Sequence, residues 1–149
     1  MDITHAFVSE IADDSDASLV RPSDWNEGHV FTTTGAFIVG WDGGGVALKS
    51  NKAVDVPIVY TGTITGWTLY PDVSGSAVVD IATDTYAGYP TFTSIVASAP
   101  PTLTSAAKAT SSTLTGWTIA ATAGDILRFT LSSASDVTRL LCVISYTRP

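Results

Sequence analysis

Beyond residue 34 the apolar residues of this chain recur at every second position, and no stretch sustains a period of three or four, so sheets are expected there and a helical core is not. DILRFTLSS (125–133) sets Leu127, Phe129 and Leu131 on one side of an extended chain and Arg128 and Thr130 on the other. SAVVDIATD (76–84) divides in the same way, Ala77, Val79 and Ile81 against Asp80 and Asp84. GAFIVGW (35–41) and VDVPIVY (54–60) are two more strands, and Pro57 places the second at an edge or a bulge. Asp42-Gly43-Gly44-Gly45 reads as a hairpin-type turn between them. In the long connection 85–112, FTSIV makes a short strand, Pro100-Pro101 stops it, and SAAKA (105–109) is the one stretch suited to a helical turn. The last strand, DVTRLLCVISY (136–146), fills one face with Leu140, Cys142, Ile144 and Tyr146, yet its other face carries Leu141 and Val143. A strand apolar on both sides is central to two layers or lies at a subunit interface, which makes Leu141 and Val143 the candidate oligomer contacts.

One phrase occurs twice. TITGWTL (63–69) and TLTGWTI (113–119) share the frame Thr-x-Thr-Gly-Trp-Thr. Alternating β-branched residues favour an extended chain, and a glycine before each tryptophan permits a bulge where the large ring turns inward. Both copies are therefore expected as strands, with Trp67 and Trp117 as paired core anchors. Eight or so strands, turns between them and one long crossover indicate an all-β fold, an antiparallel β-sandwich of jelly-roll type. The rival immunoglobulin-like sandwich lacks its two cysteines, since Cys142 stands alone in an apolar strand.

Charge divides the chain near residue 34. Residues 1–33 hold seven acids (Asp2, Glu10, Asp13, Asp14, Asp16, Asp24, Glu27) and one base, Arg21, and so carry −6 of the net −7. This segment keeps no period for long and is punctuated like a turn-rich arm, with one short helical turn over DWNEGH. The expected organisation is an extended acidic N-terminal arm, 1–33, and a β-sandwich, 34–149. Apolar residues along the arm (Phe7, Val8, Ile11, Leu19, Val20, Trp25) are spaced like pegs, so Phe7, Ile11, Leu19, Val20 and Trp25, with the arm's one base Arg21, are the candidate partner-binding positions. Only 14% of residues are charged, where about 25% is usual, so part of the apolar excess is expected to face a partner. With no Lys/Arg patch the chain is unsuited to nucleic acid. It has no run near the roughly eighteen apolar residues of a membrane helix, and no secretory n-region follows Met1, so synthesis in a host cytoplasm is expected.

No catalytic, cofactor or metal constellation emerges. His5 and His29 lack a third ligand, and Asp14-Ser15-Asp16 opens like a calcium loop but has Leu19 and Trp25 where glycine and glutamate are required. Retaining glycosidases need carboxylates about 5 Å apart, whereas Asp80 and Asp84 on one strand stand roughly 13 Å apart. No Gly-x-Ser-x-Gly and no phosphate loop are present. The chain is expected not to be an enzyme.

The phrase HAFVSEIADDSDASLVRPSDWNEGHVF (5–31) resembles a segment near the start of many tailed-bacteriophage virion proteins, through Leu19, Val20, Arg21, Pro22, Ser23, Asp24, Trp25, Asn26 and His29. The body is similar to a β domain of phage structural and tail-fibre-like proteins in TITGWTL, DVSGSAVVDI, APPTLTSAAKA, TLTGWT, AGDILRF and VTRLLCVISYT, while IATDTYAGYP departs from a related phrase that often holds a tryptophan-lysine pair. The resemblance implies a virion structural protein: a capsid decoration (cement) protein on the outer capsid surface, its arm on the major capsid protein and its copies associated as a homo-oligomer. The alternative it implies is a tail-fibre or receptor-binding head domain, with Trp41, Tyr70, Tyr86 and Tyr89 stacking on host glycan. The short arm, 33 residues with no shaft, favours the capsid.

Overall fold

The computed structural model describes residues 32–148, together with the backbone of Asp2–Ile3 and His29–Val30. The chain divides into two compact units, residues 1–33 with Pro149, and residues 34–148. In the first, β1 (Asp2–Ile3) pairs antiparallel with β2 (His29–Val30), so the two ends of this segment lie side by side.

The second unit is a β-sandwich of two five-stranded antiparallel sheets, with no helix among the described residues. Sheet I holds β3 (Thr33–Asp42), β12 (Arg139–Arg148) and β5 (Gly62–Pro71), in that order, with the short β9 (Ala109–Ser111) and β10 (Ala120–Ala121) both on the far side of β5. Sheet II holds β4 (Lys52–Pro57), β11 (Ile126–Ser135) and β6 (Gly75–Asp84), with β7 (Thr93–Ser94) and β8 (Thr102–Ala106) beyond β6. The pairing is nested: β3 with β12, β4 with β11, β5 with β9 and β10, β6 with β7 and β8. Successive nested pairs alternate between the sheets, so the chain resembles one long hairpin rolled up around its core.

The alternation of β6 and β11 works as it reads. Val79, Ile81, Leu127, Phe129 and Leu131 are fully buried, and they meet Ile64, Leu69, Leu140, Cys142 and Ile144 from sheet I. Each such side chain contributes about 1.5–3 kcal/mol by leaving water. Tyr146 completes the inward face of β12 by stacking on Phe37, ring centroids 4.6 Å apart.

Three local expectations are corrected. The Asp42–Gly45 turn does not close a hairpin, because β3 and β4 belong to different sheets; it starts a crossing, with the Asp42 carboxylate accepting the Gly44 N–H at 2.7 Å. SAAKA is not helical: β8 and β9 flank Ala107-Lys108, where the chain passes from sheet II to sheet I. The second Thr-x-Thr-Gly-Trp-Thr copy is not a strand. It connects β9 to β10 through a turn in which Trp117 N–H donates to the Leu114 carbonyl and Gly116 adopts φ +79°. The first copy, within β5, has ladder partners on both sides, β12 on one and β9 and β10 on the other; the second has none, and β propensity without a neighbouring strand does not hold a chain extended. The bulge expected beside the first copy is present, since Ser145 pairs with Gly66 and Tyr146 with Ile64, leaving Thr65 as the extra residue.

Candidate functional site

The outer surface of sheet I departs most from what a solvated sheet face should be. On β12 the outward residues are Arg139, Leu141, Val143 and Ser145, opposite the buried Leu140, Cys142 and Ile144. On the β5 side Leu141 pairs with Tyr70 and Val143 with Thr68. On the β3 side Gly40 lies against Leu141, and the Asp42 carboxylate stands 3.9 Å from Arg139. The alternation of β3 buries Phe37, Val39 and Trp41, so Ile38 and Gly40 face outward.

Rows of side chains therefore run across the sheet, one of them Gly40, Leu141 and Tyr70, its neighbour Val143 and Thr68. Ile38 is 60% exposed, Tyr70 50% and Leu141 38%. An open sheet face normally alternates to polar; this one does so at Asp42, Arg139, Ser145 and Thr68 but carries an apolar patch at Ile38, Leu141, Val143 and Tyr70. Tyr70 stands proud between two shallow hollows. One, about 440 Å³, is floored by Gly40 and Leu141 and bordered by Asp42, Asp72 and Arg139; the other, about 370 Å³, is bordered by Lys108 and Thr110.

The acidic end of the face is fixed by hydrogen bonds. The Asp72 carboxylate accepts from the Thr138 hydroxyl, from Thr138 N–H at 3.1 Å and from Arg139 N–H at 2.9 Å. These donors, the Thr138 hydroxyl foremost, hold its carboxyl down at about 2. The turn before β6 is thereby tied to the start of β12. A third hollow, about 570 Å³, is lined by hydroxyls (Thr65, Thr68, Thr110, Ser111, Thr113, Ser145) beside Trp67.

The outer surface of sheet II is covered differently. Asp55 on β4 and Arg128 on β11 form a two-pronged pair at 2.7 Å and 2.7 Å, and the Tyr89 hydroxyl donates to the same carboxylate at 3.1 Å. The Arg128 guanidinium lies over the Phe92 ring, 3.9 Å from its centroid. The hydrogen bonds from Arg128, with that from Tyr89, hold the Asp55 carboxyl below its usual range.

Of the residues singled out from sequence, Leu141 and Val143 lie together on the outer face of sheet I, Val143 half-buried. Phe7, Ile11, Leu19, Val20, Arg21 and Trp25 lie outside the described residues. The aromatics proposed as a glycan platform do not form one surface. Trp41 is buried, its indole N–H donating to the Lys52 carbonyl at 3.1 Å; Tyr70 is on sheet I, Tyr89 is engaged on sheet II, and Tyr86 is exposed in the turn after β6. Ile38, Gly40 and Tyr70 were not singled out as partners of Leu141, although the period of two in GAFIVGW already turns Ile38 and Gly40 away from Phe37, Val39 and Trp41. Among the described residues no three His, Cys, Asp or Glu side chains gather as metal ligands. Comparisons with protein families, with curated proteins and with solved structures find no match to this chain.

Proposed function

We propose that this chain is a non-enzymatic structural protein of a tailed-bacteriophage virion, a decoration (cement) protein that sits on the outer capsid surface and stabilises it. The observation that carries an assembly role is the apolar outer face of sheet I, on the central strand of its sheet, in a protein with only 14% charged residues. Apolar surface of this kind, rimmed by polar side chains, is typical of protein contact sites. The virion assignment rests on the phage-like phrases of the sequence. The nested strand order supports a jelly roll, the arrangement in which a folded hairpin distributes its pairs alternately over two sheets. In this reading the acidic segment 1–33, with Phe7, Ile11, Leu19, Val20, Arg21 and Trp25, holds the major capsid protein, and the sandwich faces outward.

Imaging of the virion with an antibody to this chain tests the assignment, together with its copy number relative to the major capsid protein. Decoration requires labelling over the whole head and a copy number comparable to that of the capsid subunits. Label confined to the tail tip, at a few copies per particle, would replace this reading with the tail-fibre one.

A further inference from the structure

We propose that the outer face of sheet I is closed by the same face of a second copy of this chain, about a two-fold axis running along β12, with Tyr70 of each copy seated over Gly40 of the other. The proposal rests on the reading of this face as a protein contact surface and names its occupant.

The argument begins with Gly40. It sits in the interior of a ten-residue strand, where glycine costs about 0.5–1 kcal/mol relative to alanine. Nothing in the fold requires it: its φ is not positive, and a Cβ built there meets only Leu141 Cδ1 at 3.5 Å and the Leu140 carbonyl at 3.8 Å, both ordinary contacts. A strand glycine often marks a bulge, a tight bend or the close approach of another molecule, and of these the last fits the open space above Gly40. What approaches must enter a hollow between Leu141 and the β3 edge.

Tyr70 supplies the matching shape. Gly40 and Tyr70 flank Leu141 on its two sides, each one strand away. A two-fold axis along β12 exchanges those two sides, so the ring of one copy falls on the hollow of the other, twice per pair, while Leu141 and Val143 meet their own images. Face-to-face sheets cross at about 30°, and a residue one strand spacing, about 4.8 Å, from the centre is displaced by only about 2.5 Å at that angle. The match therefore survives the twist.

Charge sets a condition on the pairing. The body carries seven acids (Asp42, Asp55, Asp72, Asp80, Asp84, Asp125, Asp136) and six bases (Lys49, Lys52, Lys108, Arg128, Arg139, Arg148), a net of −1, but the row next to Gly40, Leu141 and Tyr70 is Asp42, Arg139 and Asp72. The same axis sets Asp42 over Asp72 of the other copy and Arg139 over its own image, so the association should strengthen as salt screens these like charges. The axis overlaps three strands, β3, β12 and β5, so the shared face spans about 27 Å by about 14 Å, on the order of 400 Å² per copy. A pair then buries on the order of 800 Å², the size of a weak, transient contact, so the association is concentration-dependent.

The experiment is sedimentation equilibrium of the full chain over a wide concentration range, with Tyr70→Ala, with Gly40→Phe and with an equal mixture of the two. Wild type is expected to dimerise. Each variant alone, losing or blocking both contacts of its pair, should associate at least about 30-fold more weakly. The mixture should recover dimers as heterodimers, because one contact is then native and the other sets the shortened side chain against the added ring. Circular dichroism checks that each variant is folded, and Gly40→Leu replaces Gly40→Phe if the latter is not. A monomeric wild type, variants that associate as well as wild type, or a mixture no better than its parts would each overturn the proposal. A monomer that still decorates capsids would defeat the pairing and spare the virion assignment; a dimer that ignores capsids would do the reverse.

Discussion

Replacing Trp67 and Trp117 by alanine, one at a time, separates two side chains that their shared sequence frame makes look equivalent. Trp117 is 8% exposed, and its indole N–H donates to the Ala99 carbonyl at 2.9 Å. Next to it Thr118 N–H donates to the Ile95 carbonyl at 2.8 Å, so the ring and this backbone bond together fasten the β9–β10 connection to the β7–β8 connection of sheet II. Trp67 sits in β5 beside the bulge, half-buried, and no acceptor among the described residues meets its indole N–H. Truncating a buried tryptophan costs about 3–5 kcal/mol, and Trp117→Ala should fall in that range. Trp67 is only partly buried against the core and has no bond to lose, so Trp67→Ala should cost less, roughly half as much. Trp117→Phe preserves most of the apolar volume but loses the bond to the exposed Ala99 carbonyl, at about 0.5–1.5 kcal/mol.

Urea unfolding followed by circular dichroism measures all three. With a slope of about 2 kcal/mol per M, Trp117→Ala should lower the midpoint by about 2 M and Trp67→Ala by about 1 M. Equal shifts for the two alanine variants would refute the reasoning from burial. A Trp117→Phe variant as stable as wild type would show that the indole bond to Ala99 contributes nothing.

Asp55 and Asp72 are both held below the ordinary carboxylate value, so the unfolded chain takes up their protons first as pH falls. Their stabilisation should be complete above 3.8 and, for Asp72, lost on acidification through about 2; Asp72→Asn should flatten the melting temperature against pH in that window, and an unchanged slope would contradict it. Cys142 is fully buried, and burial pushes its thiol up to about 12, so a thiol reagent should label it only on unfolding; prompt stoichiometric labelling of the native protein would show that β12 opens. Arg128→Lys keeps the charge but loses the two-pronged grip on Asp55 and the flat stack on Phe92, and should lower the melting temperature. In the Asp55→Ala background the same change should cost less, and full additivity would mean that the pair is not coupled.

The strands that could be read from sequence are those whose period of two is decided by burial alone. β6 and β11 lie inside sheet II with one face on the core, and the apolar residues of that face, Ala77, Val79, Ile81, Leu127, Phe129 and Leu131, are fully buried. The second Trp copy could not be read, because extension there depends on a partner strand, and a local phrase does not say which strands are its neighbours. Nor could the Asp42–Gly45 turn, since glycines that close a hairpin also start a crossing between sheets. For the candidate site, the apolar second face of β12 was legible in Leu141 and Val143. Gly40 and Tyr70 were not, because their importance comes from adjacency across β3, β12 and β5, three strands far apart in the chain.

The two outer faces of the sandwich differ in a way that bears on what sheet I is for. On sheet II, Ala82 pairs with Arg128 and points outward with it, yet Ala82 is only 6% exposed and the Arg128 side chain 28%. The connection after β6 lies over them: Tyr89 reaches Asp55 and Phe92 covers the guanidinium. The chain thus lays the connection after β6 on a face anchored by an ion pair, which water would have solvated at modest cost. On sheet I no described segment crosses Ile38, Leu141 and Tyr70, whose apolar surface gains most from being covered. If burial within one copy had been the only constraint, the connection would serve the sandwich better on sheet I. Its placement on the polar side fits a protein whose apolar face is closed from outside, and the sedimentation of Tyr70→Ala mixed with Gly40→Phe decides whether a second copy closes it.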